Sequence, residues 1–200
     1  SYQKIGVAHG HTLPLGLQEG DQLPVAIDTP TTKSYEGPDV ALDAKVIRGK
    51  FPLETALLFK IYCYVSKLSR ELGDIIIADT KLEFGYDKNR TLTLADEVAT
   101  PDSSRCWESS EWTASRAFKK RNAPAPLDEQ IIRNWAIRQG INTSGPVTTE
   151  DVARIQQLKI PGKIIKEMSE TYHYLPWRLT RRNLETYQRE ELGIDLSKFH

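Results

Sequence analysis

A chain of 200 residues with 27 basic and 27 acidic side chains carries no net charge, so no overall electrostatic pull toward nucleic acid or a membrane surface is expected. An apolar fraction of 39% suits a packed globular protein and excludes a disordered one, and the length allows one large domain or two small ones. The two cysteines, Cys63 and Cys106, lack CxxC spacing, and no apolar run reaches the ~18 residues of a membrane span, so a reduced, cytoplasmic protein is expected.

Residues 1–35 are rich in Gly, Pro and Thr, which favours extended segments joined by turns over a long helix. Residues 36–50, with Gly37-Pro38 and Gly49, read as loop. Pro52 suits the first turn of a helix to about Leu72, whose Leu53, Leu57, Ile61, Val65 and Leu68 form one apolar stripe. Gly73 stands where a helix terminator would, and Cys63 reads as a small buried residue. The run from Asp74 to Phe84 then alternates as a strand, Gly85 to Arg90 is a polar turn, and Thr91 to Val98 alternates again, which predicts a hairpin. Pairing Leu82 with Leu94 and Phe84 with Leu92 would turn Asp96 away from Glu83, and a bulge or a register shift would be needed to bring the two together. Residues 99–127 read as irregular. Helices are predicted from Asp128 to about Gln139, after a Thr148–Asp151 capping box, and over about 163–174 and 179–192. The predicted fold class is α+β, an antiparallel sheet with flanking helices.

On the first strand of the hairpin, Asp79, Lys81 and Glu83 share one face, and Asp96 and Glu97 close the second strand. Carboxylates beside a lysine suit a magnesium-nucleotide site, because magnesium takes few protein oxygens and fills its shell with phosphate and water. A plain solvent-exposed charged face is the competing reading of the same pattern. The turn Thr100-Pro101-Asp102-Ser103-Ser104-Arg105 follows. Its guanidinium can grip a phosphate or carboxylate through two bonds, and its hydroxyls and amides can add donors. Alternatively it is an Asp/Ser turn with an exposed Arg. Two basic clusters, Arg116 to Arg121 and Arg178, Arg181 and Arg182, fit a solvated surface better than a phosphate site.

Ala78-Asp79-Thr80-Lys81-Leu82-Glu83-Phe84-Gly85, then Asp96-Glu97-Val98, then the Asp102-Ser103-Ser104-Arg105 turn, resemble the signature stretch of SAICAR synthetases in order and spacing. Upstream, Leu13-Pro14, Gly16-Leu17, Leu23-Pro24 and Thr29-Pro30-Thr31-Thr32-Lys33 are similar to the family's middle segment, and Asp128-x-Gln130 with Trp135 to its following helix. The resemblance implies an ATP- and Mg2+-dependent ligase that joins L-aspartate to the carboxylate of carboxyaminoimidazole ribotide (CAIR), giving SAICAR, ADP and phosphate in purine biosynthesis. It implies Glu83 and Asp96 around ATP and the metal, Lys81 and Glu83 in the catalytic step, and Asp102, Ser103, Ser104 and Arg105 at the ribotide. It also implies an ATP- and ribotide-binding core over 51–145, led into by residues 1–50 and followed by C-terminal helices over 146–200.

The family's amino-terminal lobe has no counterpart here; the sequence opens at Ser1 and its single methionine is Met168. A fragment is therefore expected, with the lobe supplied in cis or in trans; an oligomer is also compatible. An acidic box usual after Lys33 is replaced by Ser34-Tyr35-Glu36-Gly37-Pro38-Asp39-Val40, Glu129 stands where the family often has Lys, and the tail from Lys163 is longer and more basic. A divergent homologue with another amine substrate, or one that binds ligand without turnover, is the alternative.

Overall fold

The computed structural model describes residues 6–33, 39–117, 123–141, 148–195 and 197. A short hairpin of β1 (Val7–Ala8) and β2 (His11–Thr12) opens it, turned by His9 and Gly10 at positive φ. Part of the stretch read as loop is instead helix α1 (Ala44–Lys50). Asp43 accepts from the amides of Lys45 and Val46, and Arg48 and Lys50 fall in the last turn, where cations offset the helix dipole. That capping outweighs the turn signals around it.

Helix α2 (Pro52–Gly73) begins at Pro52, as the sequence indicates. Leu57, Ile61, Val65 and Leu68 are half-buried, but Leu53 is exposed, and Cys63 lies exposed rather than buried. The residue that ends α2 in left-handed conformation is Asp74, at φ 56°; Gly73 is the last helical residue. Its glycine identity answers packing: a Cβ there would stand 3.0 Å from Leu179 Cδ2 and 3.3 Å from the Arg178 carbonyl, so any side chain would push the helix carrying Leu179 back by a few tenths of an ångström.

The long first strand of the predicted hairpin is broken in two. Strand β3 (Ile75–Thr80) pairs antiparallel with β6 (Ser104–Glu108), in a region read as irregular, while β4 (Glu83–Tyr86) pairs with β5 (Leu92–Ala95). Lys81 and Leu82 form the joint. Lys81 N–H donates to the Ser103 carbonyl at 2.7 Å, one rung past the Thr80–Ser104 pair, so the joint stays tied to the first ladder before β4 begins. The β4–β5 register is Phe84 opposite Leu94 and Tyr86 opposite Leu92, two residues from the expected pairing. Among the described residues the sheets are thus three two-stranded antiparallel pairs.

Ile75 and Ile77 of β3, Cys106 of β6 and Leu175 form the buried core, with Tyr62 and Val65 of α2 and Leu127 packed around it. Burying an isoleucine side chain is worth roughly 1.5–3 kcal/mol, so these residues set the position of the β3–β6 ladder. Asp128 fastens its far edge. It is 2% exposed and accepts from the amides of Cys106 at 2.8 Å and of Gln130 at 2.7 Å. Burial pushes its carboxyl above the ordinary range, and pushes the Cys106 thiol up to about 12. It thereby starts α4 (Gln130–Arg138), the helix expected there, which ends before Gly140 at φ 75°.

Helix α3 (Ser109–Ala117) follows β6 directly and was not foreseen. Helix α5 (Thr149–Gln157) carries the expected Thr148–Asp151 capping box. Helix α6 (Gly162–Thr180) runs straight through Pro176, where the sequence suggested a break, and α7 (Leu184–Glu190) is shorter than expected. Tertiary ties on both sides of Pro176 hold α6 together: Leu175 lies in the core, and Arg178 Nε donates to the Gly73 carbonyl at 2.8 Å. Arg181 likewise donates to the Leu72 carbonyl, so two arginines of the second basic cluster seal the C-terminal end of α2. Of the first cluster, residues 118–121 lie outside the described residues. No described helix is long and apolar enough to cross a membrane.

Candidate functional site

The joint at Lys81 brings two polar structures together, the acidic start of β4 and the Asp-Ser-Ser-Arg turn. Lys81 belongs to both, through its amide to Ser103 and its ammonium to Glu83.

Glu83 is held between two lysines. Lys33 Nζ donates to Oε2 at 2.6 Å, and Lys81 Nζ stands 2.7 Å from Oε1, an ion pair off the hydrogen-bond axis of an oxygen sealed from solvent. Lys33, and then Lys81, hold the Glu83 carboxyl below the usual carboxylate range. In the sequence Lys33 stands only as the end of a motif, with nothing that marks it as a site residue. No local pattern could have joined it to Glu83, since 50 residues separate them.

What brings Lys33 there is a polar clamp on the segment before it. Asp28 is 5% exposed; Arg48 of α1 grips its carboxylate through both Nε, at 3.0 Å, and a terminal nitrogen, and His11 Nε2 lies 3.0 Å away. Burial alone would raise the Asp28 carboxyl, but Arg48 and His11 hold it below its ordinary value. His9 bonds the Pro30 carbonyl, and Thr31 bridges to Ala41. The replaced acidic box is largely outside the described residues, which resume at Asp39.

The turn is tied mostly to itself and to β3. Ser104 is buried, its hydroxyl 2.8 Å from that of Thr80. Ser103 Oγ accepts from the Thr100 amide at 3.1 Å, and the Ser103 amide donates to Thr100 Oγ1 at 3.2 Å. Both hydroxyls thus serve first to hold the turn's shape. Arg105 and Asp102 point outward. Arg105 pairs with Asp79 across the ladder at 3.1 Å, with both side chains about half exposed, so the guanidinium keeps donors toward solvent. Asp102 accepts from the Tyr172 hydroxyl of α6, a contact the sequence offered no means of finding.

Asp96 stands one residue beyond β5, exposed, at φ 64°, with the Glu97 amide donating to Oδ1 at 3.0 Å. The register pairs Glu83 with Ala95, so strand alternation would turn Asp96 from Glu83, but the left-handed backbone at Asp96 ends that alternation. No group of three or more His, Cys, Asp and Glu gathers as a metal cage among the described residues. Magnesium is satisfied by one or two protein oxygens plus phosphate and water, so such a site does not require a full protein cage. Asp96 is the more open donor; Glu83 is already neutralised by its lysines.

A guanidinium-bearing turn on a buried ladder, beside a hairpin whose acid is bracketed by lysines, defines an α+β protein that gathers opposite charges at one joint. The chain belongs to the SAICAR synthetase family, whose sequence model matches residues 3–149. It is 36% identical over 177 residues to the phosphoribosylaminoimidazole-succinocarboxamide synthase of Neisseria meningitidis serogroup B, covering 86% of this chain and 56% of that protein. The enzyme of the same name from Schizosaccharomyces pombe is 32% identical over 177 residues, covering 86% and 53%. The chain spans about half the length of the curated relatives it matches. A solved SAICAR synthetase (type 2) in complex with ADP superposes with a TM-score of 0.50 at 24% identity, covering 84% of this chain and 57% of that one, a likeness of fold.

Proposed function

We propose that this chain forms the ribotide-binding and part of the nucleotide-binding portion of an ATP-dependent ligase that joins L-aspartate to the carboxylate of CAIR. The observation that carries this reading is the joint at Lys81, which couples the Glu83 hairpin to the Asp-Ser-Ser-Arg turn in a chain of this family. The named activity of the relatives and the ADP bound in the solved neighbour support it.

In this reading a carboxylate oxygen of the ribotide takes the γ-phosphoryl of ATP, giving an acyl phosphate and ADP. The amine of aspartate then attacks the acyl carbon; the C–N bond forms, phosphate leaves and the amine loses its proton. Such transfers need positioning and charge neutralisation more than a protein nucleophile. Arg105 holds the anionic ribotide through its planar fork, with Asp102 beside it and Ser103 and Ser104 shaping the turn. Lys81 and Lys33 neutralise developing charge on phosphate, and Glu83 keeps both lysines in reach. Asp96 would hold Mg2+, with Glu83 able to join it only by releasing a lysine, and the ion supplies neutralisation of the polyphosphate when bound. Residues 51–145 form the binding core in this account.

The test is ADP release by the full gene product, with CAIR and aspartate each supplied or withheld. Release that requires both, and is lost in Asp96→Asn, is expected. Release that ignores aspartate would overturn the ligase reading in favour of another amine, and binding of CAIR without release would favour a non-catalytic homologue.

A further inference from the structure

Helix α6 lies beyond the stretch the family model matches, yet it touches the turn proposed to hold the ribotide. The Tyr172 hydroxyl donates to Asp102 Oδ1 across 70 residues of sequence. Other bonds at the turn, among the described residues, run from Thr100 to Ser103 and to Glu97, from Thr80 to Ser104, from Lys81 to the Ser103 carbonyl and from the Glu129 amide to the Pro101 carbonyl. They hold the backbone and the serines, and none reaches the Asp102 carboxylate. Asp102 is exposed, so without a tie its side chain would sample several rotamers.

Tyr172 is well placed to supply that tie, because its helix is firmly seated. Thr171 and Leu175 are buried at 7% and 3% exposure, Tyr174 donates to Glu108 of β6, and Arg178 Nε holds the Gly73 carbonyl. Desolvation, the bond to Asp102 and the nearby charges of Glu129 and Glu97 all raise the phenol above its ordinary range. A phenol so surrounded stays protonated and acts as a donor. It fixes one oxygen of Asp102 and leaves the other to face outward.

We infer that Tyr172 is a positioning residue for the ribotide, acting through Asp102 to fix the carboxylate that the Asp-Ser-Ser-Arg turn presents. The inference rests on the ligase reading above. It makes α6 part of substrate recognition and not only a support for the core.

The experiment is a double-mutant cycle in the full gene product, with Tyr172→Phe, Asp102→Asn and the pair, reading kcat and the KM values for CAIR and ATP. Phe keeps the ring's packing and removes only the hydroxyl. A charge-assisted bond lost at a half-exposed site should raise the CAIR KM about ten-fold in Y172F, with kcat and the ATP KM within about two-fold. In the Asp102→Asn background the same substitution should add little, because the oriented carboxylate is already gone. Melting temperatures report any general loss of structure. An unmoved CAIR KM in Y172F, or an equal loss in both backgrounds, would overturn the inference while leaving the ligase reading standing. Absence of turnover in the unmutated protein would remove the ligase reading, and this inference with it, before any variant is examined.

Discussion

The β3–β6 ladder and the β4–β5 hairpin are neighbours in sequence and share the joint at Lys81, but they are held by different forces. The ladder rests on Ile75, Ile77 and Cys106 in the core, on the buried Asp128 at its edge and on α6 behind it. The hairpin has no buried residue; Glu83, Phe84, Leu92 and Leu94 are half-covered, and polar ties complete its anchorage. Glu83 is bound to Lys33 and Lys81, and Tyr86 donates to Glu54 of α2 at 2.6 Å. The turn proposed for the ribotide thus hangs on a buried ladder, and the acids proposed for the nucleotide sit on a support made largely of charge. In the proposed reading, a turn mounted on a buried ladder aligns one ligand beside a less buried hairpin that meets the other.

That contrast can be broken at several depths. Ile77→Ala should cost about 3 kcal/mol by opening a cavity in the ladder's core, read as a fall in the denaturant midpoint. Asp128→Ala leaves two backbone donors without their acceptor, the buried amide of Cys106 among them, and should cost about 2 kcal/mol by the same measurement. Leu94→Ala, in the half-covered hairpin, should cost about 1 kcal/mol, and a loss as large as that of Ile77 would erase the distinction between the two regions.

Glu83→Gln should cost about 1 kcal/mol or less, because Lys33 and Lys81 are exposed, but it should change the acid response. The folded carboxyl of Glu83 lies below its ordinary value, so its contribution is fully present above the unfolded pKa of about 4.3. It is lost as pH falls through the folded value. The stability gap between wild type and E83Q should therefore hold at neutral pH and close under acid. Smallest of all, Tyr86→Phe should leave the melting temperature within measurement error, since its partner Glu54 carries an exposed ion's weak bond.

Much of the proposed site is legible because its charged residues lie in short motifs. Glu83, Asp96 and the Asp-Ser-Ser-Arg turn were all named from the sequence, and so were the α+β class, α2 with its opening proline and the capping box of α5. The strand break at Lys81 is not legible, because Asp79, Lys81 and Glu83 alternate without interruption and the break lies in the change of partner, from β6 to the distant β5. Strand β6 was hidden for a related reason. Ser104-Arg105-Cys106-Trp107-Glu108 has no apolar alternation, since Cys106 and Trp107 are adjacent and both buried. Lys33 on Glu83 and Tyr172 on Asp102 join residues 50 and 70 apart, separations at which a single sequence carries no pairing signal. Helix α6 passed through Pro176 because contacts on both sides outweighed the lost backbone bond.

The most direct measurement of this division of labour is calorimetric titration of CAIR and of ATP, separately, into the full gene product and its Arg105→Ala and Asp96→Asn variants. Arg105→Ala should weaken CAIR more than ten-fold and leave ATP nearly unchanged, and Asp96→Asn should do the reverse in the presence of magnesium. If both variants weakened the same ligand, or each weakened both ligands equally, the assignment of the ribotide to the buried ladder and the nucleotide to the ion-paired hairpin would be wrong.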